Sequence, residues 1–377
     1  MWALPTFGLV LLGLIPLFLV SGGRAIFNSA DGDYIEVILD PAEPGYESFV
    51  LPTPSHLTLG IDDEGNLSMV AIMSLGPNDT GGALLLLPPK TGVSDGRTIA
   101  DAYEDGGIKA VEFALGEILA IGFTTTNEMT SGTWRSYIGP VAPVDVVLGD
   151  PLHEESGIGQ MMVIESSCCP YKGNIAIDVE EVGEFINWGT REDSGYLRVT
   201  RQQDFLKAWI AELATVNDVL AVPGEIDKGF GRMVWGLSRG EVVLVNVPYV
   251  PTPEAETVDL EVLREVIVEM VPFPTSGFSE ERSKVRLLDG VGGLDLAGEY
   301  SQGLVKAGGQ IVVIGNALEY GVETQIIYHV ATDSGIAEKF KEALGGGVVI
   351  FEPLTDTAFD LTAVIGTDLD DGSKIGK

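Results

Sequence analysis

Short apolar runs along the chain are separated by turn-forming residues. Two such runs are residues 68–74 (SMVAIMS) and 83–87 (ALLLL), and residues 76–82 between them are Gly, Pro, Asn, Asp and Thr. Apolar runs of this length, bounded by turn residues, are typical of buried strands. The pattern predicts two consecutive strands joined by a turn.

Helical spacing of apolar residues recurs in the same half of the chain. Asp178 and Glu181 have the spacing of a helix-capping pair and predict a helix through Phe185 and Ile186. Apolar residues three and four apart predict one buried face on each of three further helices. These apolar residues are Ile108, Val111, Leu115 and Ile118, then Phe205, Trp209, Ile210 and Leu213, then Leu263, Ile267 and Met270.

Proline, glycine and serine interrupt the pattern at residues 272–277, and a denser alternation of elements follows. A Gly-rich turn stands between the first strand and the first helix of this part. The alternation predicts a compact α/β module of about 90 residues. Its predicted strands are 285–288, 310–314, 324–329, 348–351 and 362–365, and its predicted helices are 295–306 and 335–344.

Residues 1–20 carry no charged side chain and are dominated by Leu, Val, Phe and Ile. At ~1.5 Å per residue, a helix of this length nearly spans a bilayer core of ~30 Å. The segment is either a membrane anchor or a signal peptide, and Arg24 on its far side does not settle its orientation. We favour an uncleaved anchor with the remaining chain on the extracytoplasmic face; the alternative is secretion after signal cleavage.

These patterns divide the chain of 377 residues into six parts. The fold class is α/β of the mixed α+β kind. The predicted parts are an anchor or signal at 1–22, an acidic Pro/Gly linker at 23–55, a first domain at 56–274, a linker at 275–283, a second domain at 284–369 and a polar tail at 370–377.

Net charge excludes one large class of partners. The chain has 22 Lys and Arg against 56 Asp and Glu, a formal charge of −34. Nucleic-acid binding depends on basic side chains that displace counterions from phosphates, so DNA and RNA are excluded as partners. Cys168 and Cys169 are neighbours and cannot form a disulfide framework, and His56, His153 and His329 stand singly.

The Gly-rich turn at residues 289–295 (DGVGGLD) lies where dinucleotide-binding loops occur. It departs from G-x-G-x-x-G because Asp295 replaces the third glycine and brings a carboxylate to the start of the predicted helix, where a phosphate would bind. Residues 345–347 (GGG) follow a predicted helix and are typical of a helix C-cap. Nucleotide binding by this module is therefore not expected.

Positive charge is concentrated in one segment. Arg191, Arg198 and Arg201 lie within eleven residues, and the last two are three apart at a predicted helix start. Two guanidiniums at this spacing can point the same way and suit a phosphate or pyrophosphate. Because Glu192 and Asp193 are adjacent, local surface ion pairs are an equally good interpretation from the residues alone.

At two places the chain resembles the LytR-CpsA-Psr family of actinobacterial cell-envelope proteins. Residues 198–203 (RVTRQQ) are similar to the family's Arg-x-x-Arg-Gln-Gln signature, and residues 100–107 (ADAYEDGG) and 137–141 (YIGPV) resemble two further elements. From residue 285 to 366 the chain follows the LytR C-terminal domain nearly element by element. The resemblance implies an α/β/α first domain and a small βαββαβ-type second domain.

In that family, membrane-anchored enzymes transfer glycopolymers from a polyprenyl pyrophosphate carrier to peptidoglycan, with arginines on the pyrophosphate and carboxylates on Mg²⁺. The resemblance assigns phosphate or lipid-carrier contacts to Arg191, Arg198, Arg201, Gln202 and Gln203. The remaining candidate of this kind is Lys90.

This chain departs from the family at the acidic positions. The family's Pro-Arg-Asp triplet aligns with Pro88, Pro89 and Lys90, its earlier metal-binding aspartate with Ser68, and the aspartate before Arg198 with Gly195. A lysine cannot bind Mg²⁺, and a serine hydroxyl is a poor replacement for a carboxylate. We therefore expect no cofactor and a fold kept with transfer chemistry impaired or lost.

Three functions follow from the resemblance. The favoured one is binding of a lipid-linked pyrophosphate, or of an envelope partner, without turnover. The alternative is an active but divergent phosphotransferase that attaches glycopolymers to peptidoglycan. Transcriptional attenuation, which the family's older names imply, is disfavoured by the charge of −34 and the lack of a basic helix.

Overall fold

The computed structural model describes residues 38–148, 173–188, 195–216, 218–251, 256–277, 282–354 and 358–369. Strands and helices alternate over these residues in a mixed α/β fold, which confirms the predicted class. Arg191, His153, Cys168 and Cys169 lie outside the described residues.

The first half of the described chain contains ten strands. They are β1 (Glu47–Phe49), β2 (Ser55–Ile61), β3 (Leu67–Leu75), β4 (Gly82–Leu87), β5 (Thr125–Thr130), β6 (Val144–Leu148), β7 (Gly173–Ile177), β8 (Val242–Val245), β9 (Tyr249–Pro251) and β10 (Glu256–Val258). The helices of this half are α1 (Ile99–Leu119), α2 (Ser131–Ile138), α3 (Val182–Asn187), α4 (Gly195–Thr215), α5 (Gly229–Leu237) and α6 (Leu260–Met270).

The second half adds five strands and two α-helices among the described residues. They are β11 (Ser283–Asp289), α7 (Ser301–Lys306), β12 (Gly309–Asn316), β13 (Gln325–Tyr328), α8 (Ser334–Leu344), β14 (Val348–Phe351) and β15 (Leu361–Ile365). One turn of π-helix, Leu296–Tyr300, leads into α7. Every strand and helix predicted here is present, with bounds shifted by a few residues at most.

A five-stranded sheet in the order β5-β2-β3-β4-β8 forms the centre of the first unit. Along β3, Met69, Ala71 and Met73 face one apolar core, while Val70 and Ile72 face the other. Helices α2 to α5 cover the first face, and α1 and α6 cover the second. Both faces are buried, so β3 has a continuous apolar sequence rather than an alternating one. The unit has the α/β/α layers that the resemblance implies.

The helix predictions are confirmed by burial. Val111, Leu115 and Ile118 of α1 lie in the core, as do the apolar residues predicted for α4 and α6. The capping pair before α3 is present in one direction, because the Glu181 carboxylate accepts from the Asp178 N–H at 3.1 Å. The helical periods therefore identified core-facing surfaces correctly.

The second sheet has six strands in the order β1-β12-β11-β15-β13-β14. β11 pairs in parallel with both β12 and β15, whereas β13 runs antiparallel to β15 and parallel to β14. Helices α7 and α8 pack against it through Leu304, Ala337 and Phe340. Helix α8 ends at Gly345 in the left-handed conformation, which confirms the predicted C-cap.

One part of the predicted linker 23–55 has a different structure. Residues Glu47–Phe49 form β1, which pairs antiparallel with β12 at the edge of the second sheet. The physical reason is the open edge of β12, whose backbone groups gain partners from the incoming strand. The approach requires a glycine, because a Cβ on Gly315 would lie 2.1 Å from the Tyr46 carbonyl oxygen. The other domain boundaries stay predictions.

Further contacts bind the same segment to the second sheet. The Asn316 side-chain amide donates to the carbonyls of Pro41 at 2.9 Å and Glu43 at 2.8 Å. The Tyr320 hydroxyl donates to the Ala42 carbonyl at 3.2 Å. Residues 41–50 therefore belong structurally to the second sheet, although they precede the first.

The backbone N–H groups of the Gly-rich turn after β11 bind a carboxylate from the same turn. The Asp289 carboxylate accepts hydrogen bonds from the N–H groups of Val291, Gly292, Gly293 and Leu294, at 2.6 to 2.9 Å. Asp295 lies at the N-cap of the π-helical turn, as predicted, but its side chain makes no capping hydrogen bond. With these donors used internally, the turn offers no free phosphate nest, as predicted on other grounds.

No helix among the described residues is long and apolar enough to cross a membrane. Residues 1–22 lie outside the described part of the chain. The anchor or signal therefore stays a prediction.

Candidate functional site

The turn after β4 lies against the start of α4. β3 and β4 are antiparallel, with Val70 opposite Leu87, so the residues after β4 return to the Ser68 end of β3. A Cβ built on Gly195 would lie 3.1 Å from the Pro88 Cβ. Lys90, which is exposed, follows two residues later. The structure thus brings the turn with Lys90 to the helix that carries Arg198 and Arg201.

The two arginines of α4 differ in their surroundings. Arg201 is only 3 % exposed, and its guanidinium carbon lies 4.2 Å from the centre of the Trp188 ring. Its Nη2 also donates to the Trp188 carbonyl at 3.4 Å. Arg198, one turn earlier, is partly exposed. Arg201 therefore stacks on an aromatic ring beneath the surface, and Arg198 is the more accessible cation.

Gln202 and Gln203 anchor α4 to the sheet. The buried Gln202 amide donates to the carbonyls of Ser68 at 3.1 Å and Ile186 at 2.9 Å. The Gln203 amide donates to the Val245 carbonyl of β8 at 3.1 Å. Two consecutive glutamines thus hold the helix at its place through backbone acceptors. The ligand contacts that the resemblance assigns to them stay a prediction.

A chain of polar side chains runs from Ser68 to the β2–β3 turn. The Ser68 hydroxyl donates to Asn187 Oδ1 at 2.6 Å, and it also lies 3.1 Å from the Gly60 carbonyl. Asn187 Nδ2 donates to the Ser131 hydroxyl at 3.3 Å, which donates to Asp63 Oδ1 at 2.7 Å. No sequence motif marks Asn187, Ser131 and Asp63, because they lie on α3, on α2 and in the β2–β3 turn.

These donors do not fit Mg²⁺. Around Ser68 the described side chains are two hydroxyls, one amide and one carboxylate, and each is already a partner in the chain of hydrogen bonds. Mg²⁺ is usually held by carboxylates and water in near-octahedral geometry. The described residues contain no group of three or more His, Cys, Asp and Glu side chains that could hold a metal. No reaction step through a metal is derived from this arrangement.

The second unit matches a known family. Residues 282–369 match the family model described as "LytR cell envelope-related transcriptional attenuator". No curated protein matches the chain.

Several solved structures are similar to part of the chain. A crystal structure of TagV from B. subtilis is 19 % identical, covers 58 % of this chain and 97 % of its own, and has a TM-score of 0.44. A crystal structure of TagT from B. subtilis is 18 % identical, with coverages of 62 % and 93 % and a TM-score of 0.43. A structure described as the LytR-CPS2A-psr family protein YwtF (TagT) with bound octaprenyl pyrophosphate lipid is 16 % identical, with coverages of 63 % and 94 % and a TM-score of 0.42.

The family match begins at Arg282, just before β11, and ends at Leu369, just after β15. It therefore contains five strands of the second sheet, and β1 is added from outside the matched residues. Over residues 282–369 the predicted resemblance to a LytR C-terminal domain is confirmed.

Proposed function

We propose that the first unit binds a pyrophosphate carried by a polyprenyl lipid, at the end of the sheet where the Lys90 turn meets α4. The observation that carries the proposal is the approach of Gly195 to Pro88, which brings Lys90 beside the helix of Arg198 and Arg201. These residues come from separate parts of the sequence. From the residues alone, a phosphate site and surface ion pairs were equally good interpretations. The contact between the two segments favours the phosphate site.

Electrostatics favours an anionic group at this end of the sheet. The chain carries 22 basic residues against 56 acidic ones, so Lys90, Arg198 and Arg201, on two segments in contact, differ in charge from most of the chain. The first turn of a helix also presents partial positive charge. An anion would be repelled over most of the surface and attracted here.

The proposal includes impaired or absent transfer chemistry. Phosphoryl transfer depends on positioning and on neutralising charge, and metal ions supply much of that neutralisation. Ser68 and Lys90 stand where the resemblance expects acidic metal ligands, and the hydrogen bonds of Ser68 support a structural role. Binding without turnover is the function that these residues support best.

Location and ligand class complete the proposal. A residue 1–22 anchor would hold the chain at the extracytoplasmic face of the membrane, where lipid-linked envelope polymers occur. Octaprenyl pyrophosphate is named for one of the similar structures, and the proposal assigns a ligand of this class to the present chain. An envelope protein as the partner is the other form of the binding hypothesis.

Calorimetric titration of the full chain in nanodiscs with a polyprenyl pyrophosphate tests the proposal. We expect the same affinity with and without Mg²⁺. We also expect Arg198→Ala to weaken the affinity about tenfold, because charge-assisted hydrogen bonds contribute about 1.5–3 kcal/mol. Lys207→Ala is the matched control, because Lys207 is an exposed residue of the same helix.

Three outcomes separate the hypotheses. Mg²⁺-dependent binding with release of a product would support the active phosphotransferase instead. An equal loss of affinity in Lys207→Ala would show that the effect of Arg198→Ala comes from the net charge of the protein and not from a specific site. Absence of any binding would rule out the phosphate site.

A further inference from the structure

A groove of about 1230 Å³ lies at the other end of the first sheet. It includes Ser74 and Leu75, the last residues of β3, whereas Ser68 is near the start of that strand. Ser74 follows Ser68 by six positions along the strand, a distance of about 20 Å. The groove is therefore separate from the proposed pyrophosphate site.

Apolar side chains form the walls of the groove. Val243 of β8 is 54 % exposed, and Leu51, just before β2, is 84 % exposed. Met270 at the end of α6 and Phe273 beyond it also line the groove. Apolar surface of β8 at Val243 is therefore open to water. Exposed apolar surface collected in one concavity is typical of a binding site.

An ion pair is already satisfied at one end of the groove. Arg232 donates to both carboxylate oxygens of Asp79, at 2.8 Å and 3.0 Å. Asn78 and Asp79 are held in the left-handed conformation, with φ of 58° and 55°. Asn and Asp adopt this conformation more readily than other residues with a side chain, which suits them to the turn. The charges of this pair cancel, and neither is left for a ligand.

Two carboxylates on the groove are not compensated. Glu241 immediately precedes β8, and Glu269 lies in the last turn of α6. Both are exposed, and neither has an ion-pair partner within the described part of the chain. The groove therefore combines apolar walls with a net charge of about −2.

We propose that this groove binds an extended, apolar peptide segment of a partner protein that carries Lys or Arg side chains. Apolar side chains of the segment would cover Val243 and Leu51, and its cations would lie near Glu241 and Glu269. An anion is repelled, and an uncharged lipid chain leaves both carboxylates without a partner. The volume exceeds the range of about 300–1,000 Å³ usual for small-molecule pockets, which favours a polymer segment.

Fluorescence anisotropy with labelled model peptides tests the proposal. The probe is the eight-residue peptide Val-Leu-Lys-Val-Leu-Lys-Val-Leu, and its two control peptides carry Gln or Glu in place of both lysines. The full chain is held in nanodiscs, with empty nanodiscs as the blank. We expect the lysine peptide to bind at least tenfold more tightly than the glutamate peptide, with the glutamine peptide between them.

Variants of the chain locate the binding. Glu241→Gln combined with Glu269→Gln is expected to weaken the lysine peptide about threefold to tenfold and to leave the glutamine peptide unchanged. Val243→Lys should abolish binding of the lysine peptide, because it adds a cation to the apolar wall. Glu265→Gln is the matched control, since Glu265 is an exposed residue of α6 that does not line the groove.

The proposal is overturned if no peptide binds, if the lysine and glutamate peptides bind equally, or if Glu265→Gln acts like the double variant. A concentration-dependent dimer that Val243→Lys abolishes would also overturn it, by assigning the groove to a second copy of the chain. None of these outcomes affects the pyrophosphate proposal, because the probe contains no phosphate and the substituted residues lie at the opposite end of β3.

Discussion

The Arg282 guanidinium donates a 2.7 Å hydrogen bond from Nε to the backbone carbonyl of Ala120. Ala120 ends α1 in the left-handed conformation, and Arg282 is the first residue that matches the LytR family model. The same guanidinium donates through Nη1 to Val305 at 2.7 Å and Gly309 at 2.8 Å. One side chain, only 8 % exposed, therefore joins the first unit to the second.

Arg282→Ala should destabilise the chain by about 2–4 kcal/mol, because each of the three carbonyls loses its hydrogen bond from the guanidinium. Urea unfolding followed by tryptophan fluorescence measures the loss. Lys284→Ala is the control, since Lys284 is exposed on the adjacent strand. Equal unfolding midpoints for the two variants would contradict a joining role for Arg282.

Asp289→Asn should destabilise the second unit by about 2–4 kcal/mol. The carboxylate accepts hydrogen bonds from four N–H groups, whereas the asparagine amide has one acceptor oxygen and an NH₂ group that would face other donors. Asp295→Asn is the matched control, and it should have little effect because Asp295 makes no side-chain capping bond. Hydrogen exchange at residues 290–294 reports the loosening of the turn. Similar exchange in both variants would contradict this account.

The decrease of the unfolding free energy at acidic pH should also depend on Asp289. Burial raises the pKa of this carboxyl, but the four N–H donors lower it more, so the pKa lies below its ordinary value. The unfolded chain then binds the proton more readily, and the contribution of Asp289 is present above its unfolded pKa of about 3.9 and is lost as the pH falls through the folded value. Unfolding of Asp289→Asn should show a shallower decline below pH 4 than the parent chain.

Protonation of His56 should favour the unfolded chain in mild acid. Burial lowers its pKa from 6.5 to about 4, and the hydrogen bond to Asn127 at 2.9 Å offsets this only in part. Since the folded state keeps the ring neutral, the unfolding free energy should fall as the pH drops from 6.5 towards 4, by about 3 kcal/mol from this residue. Above pH 6.5 His56 has no such effect.

Titration of the His56 ring by NMR with labelled histidine measures this pKa directly. His56→Gln should flatten the dependence of stability on pH between 6.5 and 4. A midpoint near 6.5 in the folded chain would contradict the argument from burial.

Ser68→Ala should cost about 1–2 kcal/mol, because it removes the donor to Asn187 Oδ1 and leaves a polar atom without its partner. Ser74→Ala is the matched control on the same strand, since the Ser74 hydroxyl has no hydrogen bond among the described residues. Thermal unfolding of both variants provides the comparison. If the two substitutions cost the same, the polar chain at Ser68 contributes nothing of its own.

Asn316→Ala should release the segment before β2 from the second sheet. It removes the two hydrogen bonds to Pro41 and Glu43, which lie next to a strand of only three residues. Hydrogen exchange at residues 45–50 should accelerate while β11 keeps its protection. Glu319→Gln in the adjacent loop is the control, and acceleration in that variant too would assign the effect to the loop.

The sequence by itself determined the elements. The bounds of β3 and β4 were predicted to within a residue or two, and the second unit was predicted in full order, because apolar periodicity and turn residues are local properties of the chain. It also identified Gly345 as a C-cap, since a left-handed residue after a helix strongly favours glycine.

Only the tertiary structure decided which distant groups meet. β1 joins β12 from more than 260 residues away, and no local signal distinguishes a pairing strand of three residues from a linker. The carboxylate that accepts the N–H groups of the Gly-rich turn is Asp289, since the path of the loop decides which side chain faces them. Gln202 and Gln203 bind backbone carbonyls on different elements, and the Ser68 chain joins residues up to 119 apart. Such contacts depend on how the layers pack, which periodicity along the chain does not encode.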